Sequence, residues 1–176
     1  MKTSYKILVL LTLTLALQNC SAPKTSAVQQ APRIIEKERI ISKPFDAVWQ
    51  TSIEWFATHN TPIKNLDKSS GLISTEYSVS IGDARRYMEC GSVRTAFIMG
   101  KSELSNFTGN FNVLIKKLGD NSTKISVNVF YGASINQYRT NGLLSSGYTL
   151  ASSTTTTCAS TGLLEREILN YIEAGN

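Results

Sequence analysis

The sequence predicts an α+β fold: a single domain in which an antiparallel sheet packs against an N-terminal-side helix and a C-terminal helix. Residues 106–118 and 123–133 alternate apolar and polar side chains about the turn Gly119-Asp120-Asn121-Ser122, the pattern of a half-buried hairpin. Residues 44–58 and the segment ending near Glu173 repeat apolar residues at helical spacing. Strand-like and helix-like segments do not alternate strictly, which argues against a doubly wound parallel sheet. The chain has 176 residues, 41% of them hydrophobic, enough for one sizeable core.

Taken in order, residues 33–42 (RIIEKERIIS) place β-branched pairs around a charged centre and read as a first strand. Pro44 suits the first turn of a helix, and Asp46 opposes the positive end of its dipole. Phe45, Val48, Trp49, Ser52, Ile53 and Phe56 follow at helical spacing, and Pro62 stops the run after His59-Asn60. Residues 63–66 form a short strand, 67–71 (DKSSG) carry turn chemistry, and 72–80 alternate as the hairpin partner. Residues 81–101 lose the pattern and read as a long loop, with a short strand at 94–99. The hairpin of 106–133 follows. Residues 134–157 are rich in Ser, Thr, Gly and Asn without a clean period; they read as a variable segment whose threonine run leads into a final strand. Thr161-Gly162 then opens a helix with Leu164, Ile168, Tyr171 and Ile172 on one face and Glu165 near its positive end.

The N-terminus has its own logic. Lys2 and Lys6 precede eleven apolar residues, 7–17, and Cys20 follows Gln18-Asn19. The stretch is too short to span a bilayer but fits a secretory h-region. The arrangement resembles a bacterial lipoprotein signal, although Gln18 and Asn19 are bulkier than that pattern prefers. The resemblance implies a signal peptide at 1–19, cleavage before Cys20 and acylation of Cys20 with palmitate-type chains. It also implies a tether at 20–32 and a folded domain at 33–176. Ser21, rather than Asp, implies outer-membrane sorting. The alternatives are an ordinary secreted chain and an uncleaved anchor. Removing Lys2 and Lys6 takes two of the five net positive charges. Only the basic pairs Arg85-Arg86 and Lys116-Lys117 remain, so the footprint of a nucleic-acid binder is absent.

With Cys20 lipidated, Cys90 and Cys158 are left in an oxidising compartment. They read as one disulfide, the alternative being two buried thiols. Three cysteines and one histidine offer no metal centre of the usual His- or Cys-rich kinds. No G-x-S-x-G, H-E-x-x-H or phosphate-cradling glycine loop is present, so no cofactor and no enzymatic activity are expected.

Three motifs then carry a family resemblance: Ser42-Lys-Pro-Phe-Asp-Ala-Val-Trp49, Asp67-Lys-Ser-Ser-Gly71-Leu-Ile73 and Cys158-Ala-Ser-Thr-Gly-Leu-Leu-Glu165. The chain resembles small periplasmic lipoproteins with a BamC-like domain of helix-grip type. The resemblance covers roughly residues 34–173, and its motifs are structural: a helix start, a turn and a disulfide-linked helix. It implies a membrane-anchored accessory of an envelope or outer-membrane complex, and it carries over no catalytic residue.

The expected role is therefore non-enzymatic binding or scaffolding, with a membrane on one side and an envelope protein on the other. Tyr138, Arg139, Leu143, Leu144 and Tyr148 are the candidate partner contacts, being residue types that anchor interfaces. Arg85 and Arg86 are candidate contacts for an anion. The alternative is a small-molecule or lipid-binding module that uses the groove between helix 44–58 and the sheet, lined by Phe56, Phe111 and Val127.

Overall fold

The alternation of residues 106–133 builds two strands longer than its spacing suggests. In the computed structural model, which describes residues 34–94, 100–142 and 147–175, β5 spans Gly100–Gly119 and β6 spans Ser122–Thr140. The leader, Cys20, the tether, Arg33, Leu143, Leu144 and most of the strand expected at 94–99 lie outside the described residues. Before β5 come β1 (Glu38–Ile41), α1 (Phe45–Thr58), β2 (Ile63–Asp67), β3 (Leu72–Ser78), α2 (Ile81–Tyr87) and β4 (Met88–Glu89); after β6 come β7 (Tyr148–Ser160) and α3 (Leu163–Ala174).

The fold is α+β, a seven-stranded antiparallel sheet in the order β2-β3-β5-β6-β7-β4. β6 shares its second edge between two partners. β1 pairs with residues 123–126, and β7 pairs with residues 131–140. One face of the sheet buries Ile73, Phe111, Val113, Ile115, Ile125, Val127 and Tyr131 under the two longer helices. These are the residues that strand periodicity assigns to one side. The other face bears Asn112 paired with Asn128, and leaves Leu114 and Phe130 exposed.

α1 forms where Pro44, in an extended conformation, hands over to an apolar stripe. It buries Val48, Trp49, Ser52, Trp55 and Phe56. The ring of Phe56 stacks on Phe111 at 5.5 Å, and Trp55 meets Phe111 edge-on at 5.8 Å. Each such side chain contributes roughly 1.5–3 kcal/mol on burial. Ser52 is fully buried because its hydroxyl donates back to the Val48 carbonyl at 2.7 Å. α3 lies beside α1 and buries Leu164, Ile168, Leu169 and Ile172. Arg39 on β1 grips the end of α3 through Glu173 at 2.7 Å and Asn170 at 3.0 Å. Lys43 donates to the Glu173 carbonyl at 2.7 Å, placing a cation at the negative end of the helix.

Two expectations are corrected here. Residues 81–87 form a helix, not a loop. Ser80 accepts from the Asp83 N–H at 3.1 Å, and its hydroxyl donates to the Asp83 carboxylate at 2.8 Å. This reciprocal cap outweighs the helix-weakening Gly82. Residues 134–157 are not mainly a variable loop, because β6 continues to Thr140 and β7 begins at Tyr148. Here β7 is mostly exposed and residues 134–140 of β6 are mostly half-buried, so no apolar alternation marks this part of the sheet.

The 67–71 turn is held by one carboxylate. Asp67 accepts from the Ser69 N–H at 2.9 Å and from the hydroxyls of Ser69 at 2.6 Å and Ser70 at 2.7 Å. These hydrogen bonds pull its pKa from the ordinary 3.8 to about 2. Gly71 follows with φ +71°, and its carbonyl accepts from the Ile115 N–H at 2.9 Å. A Cβ there would stand 2.0 Å from the Ile115 carbonyl oxygen, so both the dihedral and the space demand glycine.

Gly71→Ala is therefore expected to cost about 3 kcal/mol in urea unfolding, and a loss under about 1 kcal/mol would contradict the close approach. Because the folded pKa of Asp67 is depressed, its contribution is present above the ordinary value and lost as pH falls through the folded one. The difference in melting temperature between wild type and Asp67→Asn should thus be full above about pH 5 and shrink towards about pH 2.

Candidate functional site

The site follows from a mismatch of lengths. At roughly 3.4 Å per residue, β5 runs for about 65 Å, whereas the 14-residue α1 covers about 21 Å. The helices cover one end of the hairpin. Its other end, formed by residues 100–105 of β5, 134–140 of β6 and 148–155 of β7, projects as a three-stranded arm. A bulge between Ser105 and Thr108 marks where the arm departs, with Asn106 at φ 48°. Asparagine tolerates that left-handed conformation, and its amide donates to the Ser134 hydroxyl at 3.4 Å.

The arm gathers three of the expected partner-contact residues. Lys101 Nζ lies 4.8 Å from the ring centroid of Tyr138 and 5.3 Å from that of Tyr148, so one ammonium orders two aromatic faces. The Tyr138 hydroxyl donates to Glu103, which holds that carboxyl below its ordinary value and raises the tyrosine above its own. Arg139 is exposed on the same strand. Sequence reasoning missed Lys101 and Glu103, because both fell in or beside the segment read as a loop. Leu150 is 52% exposed beside Tyr148.

The outer edge of β7 is the distinctive feature of the arm. Among the described residues, β4 covers only Ala159 and Ser160, which leaves 148–157 paired on one side alone. That stretch, YTLASSTTTT, holds no charge and no proline. The other outer edge, β2, carries Lys64 in an ion pair with Glu76, and the neighbouring stretch of β5 carries Lys101 and Glu103. Charges of this kind guard a strand against adventitious pairing. β7 has none.

Cys90 and Cys158 form a disulfide at the root of the arm. Met88 opposes Ser160 and Glu89 opposes Ala159, so the two cysteines come next in register and are joined across strands. The two candidate anion contacts separate. Arg86 pairs with Glu167 and lies 5.0 Å over the Tyr87 ring, while the Tyr87 hydroxyl donates to Glu167 at 2.8 Å. Burial, then that carboxylate, push the Tyr87 pKa to about 12. Arg86 thus serves to lock α2 to α3. Arg85 is exposed and lines a cavity of about 290 Å³ with Ala84, Met88, Cys90, Leu104 and Phe107.

The groove residues expected between α1 and the sheet lie in the core. These residues, Phe56, Phe111 and Val127, are at most 2% exposed. Glu165 is also wholly buried. Its Oε2 accepts from the Ser160 hydroxyl at 2.9 Å, and that hydroxyl accepts from the Gly162 N–H at 3.0 Å. This relay fixes the entry to α3. His59 stacks on Trp55 at 4.5 Å, and its Nδ1 donates to the Trp55 carbonyl at 2.8 Å. No group of three His, Cys, Asp or Glu side chains suited to a metal occurs among the described residues. No helix among them is long and apolar enough to cross a membrane.

Replacing both cysteines by serine is expected to lower stability by about 2–4 kcal/mol, since the bridge closes a loop of 68 residues. Urea unfolding of the variant against wild type measures this, and equal midpoints would deny the bridge a structural role. No family model matches the chain, and no curated protein matches it either.

Proposed function

We propose that this chain is a lipid-anchored protein of the bacterial cell envelope, attached through Cys20 to the outer membrane and facing the periplasm. It acts there as a non-enzymatic binding or scaffolding accessory, in the manner of the BamC-like lipoproteins its motifs resemble. The observation that supports binding is the uncharged, one-sided edge of β7 on an arm that projects beyond the core. Ten residues of edge strand offer about five outward N–H and five outward C=O groups. These suit an extended, uncharged segment of another envelope protein, added as a further strand. Tyr138, Arg139, Tyr148 and Leu150 stand beside it and would supply side-chain selectivity.

Placing a photo-crosslinking side chain at Thr155 should yield a discrete adduct with another envelope protein in intact cells. The same side chain at Lys116, on the exposed part of β5 away from the arm, should not. Adding Ser153→Lys should reduce the Thr155 adduct at least tenfold by charging the edge, with the melting temperature unchanged within about 2 °C. Equal adducts from both positions would refute the edge as the docking surface. Mass spectrometry of the mature N-terminus should find an acylated Cys20, and an unmodified Cys20 would refute the anchor.

A further inference from the structure

The cavity beside α2 belongs neither to the filled core nor to the β7 edge. Its walls are apolar: Ala84 and Met88 are buried, Leu104 comes from the root of the arm and Phe107 from the bulge beside it, and the disulfide-bonded Cys90 also lines it. Phe107 reaches it because the bulge at 105–108 shifts the register of β5 at that point. Among the described residues that line it, only Arg85 is charged and only Arg85 is exposed. Its neighbour Arg86 is committed to Glu167 and Tyr87. Arg85 makes no ion pair among the described residues, so an exposed residue lining an apolar hole carries a cation without a carboxylate partner there.

We infer that this cavity binds a free single-chain amphiphile with an anionic head, such as a medium-chain carboxylic acid, with its tail against Met88, Leu104 and Phe107 and its head on Arg85. The charge arrangement selects the class. A neutral apolar molecule would leave the guanidinium without a counter-ion, and a polar anion would leave the apolar walls wet. A carboxylate accepts two parallel N–H bonds from the planar fork of arginine. About 290 Å³ falls just below the roughly 300–1,000 Å³ typical of ligand sites, which suits one short chain rather than a two-chain lipid. The site is independent of the β7 edge, and it relocates the ligand-binding alternative from the α1 groove to the far side of the disulfide.

The test is photolabelling of the full chain in its native membranes with a diazirine-bearing decanoic acid, followed by peptide mapping. Labels are expected on the peptides containing Met88 and Leu104. Decanoate should compete for them and decanol should not. Arg85→Gln should weaken labelling at least tenfold, and Lys116→Gln, at an exposed position of β5 away from the cavity, should leave it unchanged. Leu104→Trp, which fills the cavity from an incompletely buried strand position, should abolish it. Labelling scattered over the surface, equal competition by decanol, or undiminished labelling of Arg85→Gln would overturn the proposal. So would labelling by a diazirine-bearing phosphatidic acid alone, which would make the occupant a membrane lipid.

Discussion

The pairing of β5 with β6 places everything else in this molecule. It runs almost unbroken from the Gly119–Ser122 turn to Gly100 and Arg139. Every other strand except β2 and β4 pairs directly with one of these two, and α1 and α3 pack on their shared face. A hairpin of this length cannot be buried throughout by helices of 14 and 12 residues. One end therefore acquires a core and the other acquires solvent. The division between a stable body and an exposed arm is a consequence of strand length, and needs no separate domain.

That division also decides what could be read in the sequence. Near the body, apolar residues recur with the period of the structure that buries them. Phe111, Val113 and Ile115 announce β5, and Val48, Trp49, Ser52 and Phe56 announce α1. The arm loses that signal because β7 is mostly exposed, so Ser152 to Thr157 can be a strand without alternating. The helix at 81–87 was hidden for a different reason. Its information lies in the Ser80–Asp83 cap, a local hydrogen-bond pattern, and Gly82 masks it.

The candidate sites were legible to unequal degrees. Cysteine parity led to the Cys90–Cys158 pair without any knowledge of geometry. Tyr138, Arg139 and Tyr148 could be named as residue types, but the convergence of the two tyrosines on Lys101 depends on a register that places Lys101 opposite Tyr138. The basic pair Arg85-Arg86 gave no hint that its members diverge. On a helix, adjacent residues point about 100° apart, so one reaches α3 while the other faces a cavity. Only the fold distinguishes a structural arginine from one available to a ligand.

The cross-strand bridge also has a mechanical meaning. A partner that holds β7 by its edge can transmit force to it, and a strand joined by hydrogen bonds alone can be peeled away one pair at a time. Peeling from the Tyr148 end would proceed along β6 only as far as Cys158. There the load passes through a covalent bond into Cys90 and so to β4 and α2. The Arg86 and Tyr87 contacts with Glu167 spread it onward to α3. Tension on the arm would thus be borne by the body as a whole.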